Sequence, residues 1–216
     1  MTFCKKNRYL FIFDMDGVIV NTEPLKFLAY KKVFRELYGV ILDDNDVMWR
    51  GKSEKEVVKY WTSKKGIFCE IDSKEIIRKK RLFHRQLLMS NKLCLINGIR
   101  EFISQLFKDS IKIGLATTSN KKDQRYIFKR FKLGYFFDKV VTLDDITRPK
   151  PDPEIYLKTA DMLGYSHSKC IVFDDTPSGI LAGIKAGMSV VAVLSSYKKK
   201  DFNNVRYFIN DFSGLV

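Results

Sequence analysis

Five short apolar runs without polar alternation, at residues 9–13, 111–116, 139–143, 170–173 and 190–194, constrain the fold of this chain more than any other feature. An apolar run that does not alternate reads as a strand covered on both faces, as in a parallel sheet. Four of the runs end in small polar or acidic residues: Asp14-Met15-Asp16-Gly17, Thr117-Thr118-Ser119-Asn120, Asp144-Asp145, and Asp174-Asp175-Thr176-Pro177-Ser178-Gly179. Helical stretches separate the runs. Asp152 with Pro153 predicts a helix start whose end is Gly164, and Thr176 with Pro177 predicts another ending at Gly187. Residues 98–108 and 123–131 complete the set. Strands alternating with helices predict an α/β fold, a doubly wound parallel sheet. Ligands bind beyond the carboxyl ends of such strands, where loops leave a crevice and helix N-termini point into it.

The interval between the first and second strands, residues 19–91, is too long for one crossover helix. Apolar spacing predicts a helix over 24–38, stopped by Gly39. Ser53 with Glu56 predicts a capping box for a helix through Trp61, and Ser73 a cap for a helix through about Leu88. The expected organisation is a Rossmann-like core made of residues 1–19 and 92–216, with an all-helical cap domain, residues 20–91, placed over the crevice. Residues 202–216 predict a last short strand and a tail docked on the sheet.

Four segments in order, Asp14-Met15-Asp16-Gly17-Val18, Ala116-Thr117-Thr118-Ser119, Arg148-Pro149-Lys150-Pro151-Asp152-Pro153 and Phe173-Asp174-Asp175-Thr176-Pro177-Ser178-Gly179, resemble the motifs of the haloacid dehalogenase superfamily, in the subgroup with a helical cap after the first strand. The resemblance spans nearly the whole chain and implies hydrolysis of a phosphate ester through an aspartyl-phosphate.

The residue types suit that chemistry. A phosphate monoester resists nucleophiles because its oxygens are anionic, so a catalyst must neutralise charge and position the attacking group. Asp14 is the expected nucleophile and Asp16 the general acid and then base. Mg²⁺ prefers oxygen ligands and takes one or two carboxylates. The resemblance implies that it is held by the Asp14 side chain, the Asp16 main-chain carbonyl and Asp175, with Asp174 adjoining. Lys150 would supply a fixed positive charge and Thr117 a hydroxyl to the transferring oxygens, with Thr118, Ser119 and Asn120 as further phosphate-site candidates.

Particular positions separate the chemistries of this superfamily. Dehalogenases and phosphonoacetaldehyde hydrolase lack the second aspartate, which is present here as Asp16. β-Phosphoglucomutase carries a cap histidine ten residues after that aspartate, where this chain has Lys26, and an arginine after a Gly-x-Ser turn, where this chain has Glu54. A phosphatase acting on a small phosphorylated metabolite, a sugar phosphate, is therefore expected, with a mutase as the alternative. Lys26, Arg50 and Lys52 are the candidate cap residues for meeting the substrate.

A net charge of +14 raises the alternative of a nucleic-acid-binding or regulatory protein. Apart from Arg78-Lys79-Lys80-Arg81 and Lys198-Lys199-Lys200, however, the basic residues are scattered without aromatic interleaving, and no nucleic-acid partner is expected. Cys4, Cys69, Cys94 and Cys170 form no close pair, which excludes a zinc or redox motif and points to reduced thiols in the cytoplasm. No segment approaches a membrane span, and the apolar residues after Lys5, Lys6 and Arg8 are too few for a signal peptide. A monomer is expected.

Overall fold

The computed structural model describes residues 9–46, 48, 54–67, 72–90 and 92–215. They fall into two compact units, one holding the chain up to Asn21 and from Leu95 onward, the other Thr22–Cys94. The first division lies two residues inside the predicted insert, and the second three residues beyond its end. The cause is local: Val20 bridges to Asp16 and Leu95, and the Ile96 N–H donates to the Ile19 carbonyl at 2.9 Å, so both crossing segments belong to the first unit.

The first unit is a six-stranded, wholly parallel sheet in the order β3-β2-β1-β4-β5-β6. Its strands are β1 (Leu10–Phe13), β2 (Lys112–Ala116), β3 (Lys139–Val141), β4 (Cys170–Asp174), β5 (Ser189–Val193) and β6 (Tyr207–Ile209). The absence of alternation in β1 has a visible reason. Leu10 and Ile12 join an aliphatic layer with Val172, Ile155, Tyr156, Ile180 and Ala182. Phe11 and Phe13 face an aromatic layer with Phe102, Phe173 and Phe212, the Phe13 and Phe173 rings stacking at 4.9 Å. Helices α4 (Ile99–Lys108), α5 (Lys121–Arg130), α6 (Glu154–Leu163) and α7 (Pro177–Lys185) complete this unit.

Some boundaries differ from those the sequence predicts. β3 stops at Val141 rather than Leu143, because Thr142 N–H and hydroxyl both donate to the Asp145 carboxylate and turn the chain into a short 3₁₀ segment. α5 starts at Lys121 because the Asn120 side chain accepts the Asp123 N–H at 2.9 Å and caps it. α6 starts at Glu154, after Pro153, although Asp152 still accepts the Glu154 N–H at 3.0 Å. α7 starts as predicted, with Thr176 capping through the Gly179 N–H at 3.0 Å and Pro177 following.

The second unit is helical among its described residues, with α1 (Glu23–Tyr38), α2 (Glu54–Lys64) and α3 (Ser73–Leu88). Tyr30, Val33 and Phe34 of α1, Val57, Val58 and Trp61 of α2, and Ile76 and Ile77 of α3 form its core with Leu42. Gly39 ends α1 in the left-handed conformation at φ 66°, where its N–H reaches the Arg35 carbonyl. The cap of α3 is Asp72, whose carboxylate accepts the Lys74 N–H at 3.0 Å, and Ser73 is the first helical residue. The predicted capping residue Ser53 lies outside the described residues. No helix among the described residues is long and apolar enough to cross a membrane.

Candidate active site

β2 lies on one side of β1 and β4 on the other, so the chain reverses its direction of sheet growth beside β1. In doubly wound sheets this is where a crevice opens at the carboxyl ends. The register places Phe13 opposite Leu115 on β2 and Phe173 on β4, and the Asp14 N–H donates to the Phe173 carbonyl at 2.9 Å. Asp14, Thr117 and Asp174 thus leave three adjacent strands at one level.

Lys150 joins them from the loop ahead of α6, with its side chain only 6% exposed. An ammonium has three donors. Those of Lys150 reach Asp14 Oδ1 at 2.7 Å, Asp174 Oδ2 at 2.9 Å and the Ala116 carbonyl at 3.1 Å. Glu154 shapes the approach by accepting the Thr147 N–H and the Arg148 N–H, each at 2.9 Å, from the same loop. Those hydrogen bonds hold its carboxyl down at about 2.

Burial dominates the electrostatics. Removal from water pushes the Asp14 carboxyl up to about 7; the Lys150 charge opposes this, and Asp174 and Asp16 reinforce it. Burial also pulls on Lys150 in the direction of the neutral amine, but Asp14 and Asp174 outweigh it and hold the ammonium well above its ordinary range. Two buried carboxylates, Asp14 and Asp174, flank this ammonium, and the charge of Asp16 acts on Asp14 as well.

The remaining expected residues have distinct surroundings. Asp16 is half-buried and its Oδ2 accepts the Ser119 hydroxyl at 2.6 Å. Thr117 is fully buried, and its Oγ1 accepts the Ser119 N–H at 3.0 Å. Thr118 is exposed. Asn120 is occupied with capping α5. Lys26, on α1, pairs with Glu23 at 3.2 Å. Arg50 and Lys52 lie outside the described residues.

Two glycines make room for the carboxylates. A Cβ on Gly17 would lie 1.9 Å from Asp175 Oδ2, and one on Gly179 would lie 1.9 Å from Asp174 Oδ2. Gly17 also has φ +77°, a conformation that side chains disfavour. The Gly17 cradle brings the Asp175 carboxylate against the main chain that follows Asp16. Among the described residues no three carboxylate, imidazole or thiolate groups form a ready cation cluster. The ligand set expected for Mg²⁺ needs only two carboxylates and one carbonyl, and the acidic surplus with this cradle fits it.

Several contributors escape a sequence reading. Ser195 and Ser196 follow β5, and Ser196 donates to Asp175 Oδ2, while Ser195 donates to the Gly17 carbonyl at 2.5 Å. They obey the same strand-end rule as the other polar groups, and that rule was the available signal. Tyr156 donates to Asp174 Oδ2 from within α6.

Residues 11–193 match the family model described as haloacid dehalogenase-like hydrolase. The chain belongs to the haloacid dehalogenase-like hydrolases. Relatives of this hydrolase include a phosphorylated carbohydrates phosphatase of Thermotoga maritima, 32% identical over 82% of this chain and 81% of that protein. A β-phosphoglucomutase of Bacillus subtilis is 30% identical over 84% of this chain and 81% of its own length. Among solved structures, a family IA, variant 3 hydrolase of the superfamily from Entamoeba histolytica superposes with a TM-score of 0.81 at 26% identity, covering 96% of this chain and 95% of that one. The parallel core with an inserted helical cap is therefore the architecture of this hydrolase.

Proposed function

We propose that this hydrolase is a Mg²⁺-dependent phosphatase that cleaves a small phosphorylated metabolite, a sugar phosphate, through an aspartyl-phosphate. The observation that carries this reading is the pairing of a buried Asp14 with Lys150 on a turn whose next acid, Asp16, is held by Ser119. The family membership and the printed activity of the T. maritima relative support it.

In this reading a carboxylate oxygen of Asp14 attacks phosphorus and the ester P–O bond breaks, the leaving oxygen taking a proton from Asp16. A water then gives its proton to Asp16 and attacks the same phosphorus, which releases inorganic phosphate and restores Asp14. Lys150 and the Thr117 hydroxyl stabilise charge on the transferring oxygens. Asp14, Asp175 and the Asp16 carbonyl would hold Mg²⁺, which when bound supplies charge neutralisation for the phosphoryl group.

A phosphosugar mutase is the second reading, favoured by the B. subtilis relative. The charges at two positions oppose it. Glu54 is an acid where that chemistry has an arginine, and it is already engaged with Lys80 at 3.2 Å and with Arg81. Lys26 stands where that chemistry has a histidine.

Incubation with an aryl phosphate and a panel of sugar phosphates separates the readings. Phosphate release that requires Mg²⁺ and stops on chelation is the expected result. Interconversion of phosphosugars without release would move the assignment to the mutase, and the absence of both release and interconversion would remove both readings. Ser119→Ala is expected to lower kcat about tenfold by removing a hydroxyl donor from the Asp16 carboxylate, with a smaller change in KM. Steady-state kinetics on the aryl phosphate checks this, and an unchanged kcat would remove Ser119 from the acid/base machinery.

A further inference from the structure

Tyr156 sits in α6 with no exposed surface, beside Ile155, Thr159 and Ala160, which are also buried. A phenylalanine would fill that space equally well, so the hydroxyl needs its own explanation. It donates to Asp174 Oδ2, and the ring lies 4.9 Å below the Lys150 ammonium. Asp174 is itself fully buried, and its carboxylate has about four acceptor directions. The Thr176 N–H and the Thr176 hydroxyl each take Oδ1 at 2.8 Å, while Lys150 and Tyr156 share Oδ2.

We infer that Tyr156 is a positioning residue for phosphoryl transfer: its hydroxyl completes the coordination of Asp174 and so fixes the Lys150 ammonium between Asp14 and Asp174. The inference rests on the phosphatase reading above. Lys150 has as many acceptors as donors, and each is anchored to a different element: Asp14 after β1, Ala116 on β2 and Asp174 on β4. Without the tyrosine hydroxyl, Asp174 has one buried acceptor direction unfilled and draws the ammonium more strongly. Lys150 then moves off Asp14 and away from the oxygens whose charge it neutralises. The ring keeps its cation–π contact in either case, so the change isolates the hydroxyl.

Tyr156→Phe, compared with wild type, tests this on an aryl phosphate with Mg²⁺, together with inhibition by orthovanadate and by inorganic phosphate and a thermal melt. kcat/KM is expected to fall about tenfold, and vanadate, which mimics the five-coordinate transition state, should bind about tenfold more weakly. Inhibition by inorganic phosphate should change by less than about twofold, because the lost positioning is felt where charge develops. A purely structural role would weaken both inhibitors together or leave both unchanged, and either result overturns the inference. So does a kcat/KM equal to that of wild type. Absence of turnover in the wild type itself overturns the phosphatase reading and this inference with it, so the two failures are told apart by the wild-type rate. If the variant melts below the assay temperature, the same comparison of rate and of the two inhibitors is made at a lower temperature at which both proteins are folded, with the same expected pattern.

Discussion

Asp14→Asn is expected to reduce metal-dependent phosphate release by at least about a thousandfold while making the chelated protein more stable above neutral pH. The loss of rate follows from the loss of the nucleophile: an amide oxygen carries no full charge and forms no aspartyl-phosphate. The stability gain follows from the same burial that the chemistry exploits. The Asp14 carboxyl is pushed up to about 7 chiefly by desolvation, against the pull of Lys150. An unfolded chain ionises that carboxyl near pH 4, whereas the folded protein resists ionising it until about pH 7. Asp14 therefore costs stability that is absent below the unfolded value, grows as pH rises between the two, and is complete above the folded one. Asparagine carries no such penalty, and Lys150 keeps Asp174 as its partner. Melting curves in chelator should show the variant pulling ahead of wild type between pH 5 and pH 8, by on the order of a few kcal/mol. A variant that melts below wild type at pH 8 would mean that the Lys150–Asp14 ion pair outweighs the cost of burying the carboxylate.

Much of this site is legible in the sequence because its chemistry lies at strand ends. Unbroken short apolar runs separated by helical stretches read as strands covered on both faces, and the polar residues that follow them then collect at one edge of a parallel sheet. That is why Asp14, Lys150 and Asp174, far apart in the chain, meet at this edge. Tyr156 was not legible, since a tyrosine among Ile155, Thr159 and Ala160 on a helix has the pattern of a packing residue, and only the position of its hydroxyl distinguishes it. Ser195 and Ser196 are not legible as site residues because two serines after a strand form no motif, although their contacts with Asp175 and Gly17 are as direct as those of the motif residues. The errors in element boundaries have a common origin. At β3, α3 and α5 a side chain competes for backbone donors: Asp145 ends the strand early, and Asp72 and Asn120 set helix starts. Several residues near each boundary could have done so, and propensity alone does not choose among them.

Lys150→Met should damage both rate and stability, in contrast to Asp14→Asn. Methionine keeps an unbranched stem and fills most of the same space, so packing around Tyr156 survives. What disappears is the one cation that separates Asp14 from Asp174, both of them buried. Removing one partner of a buried ionic cluster leaves the others uncompensated, at a cost of about 3–5 kcal/mol. The penalty has a definite pH dependence. Lys150 is the main influence that lowers the Asp14 carboxyl toward its ordinary range, so without it that carboxyl rises further and binds a proton more readily. The variant is therefore expected to be most destabilised at pH 8 and to recover as pH falls and the carboxyls take up protons. Urea unfolding in chelator at pH 8 and at pH 5.5 measures this directly, and equal losses at the two values would show that packing rather than charge is responsible. The rate should fall by about 10²–10³ even under conditions where the variant is fully folded, since a preorganised donor to the transferring oxygens is lost. Arginine is expected to restore stability more than rate: it returns the charge, but a planar fork cannot meet Asp14, Asp174 and the Ala116 carbonyl from the position of a tetrahedral ammonium.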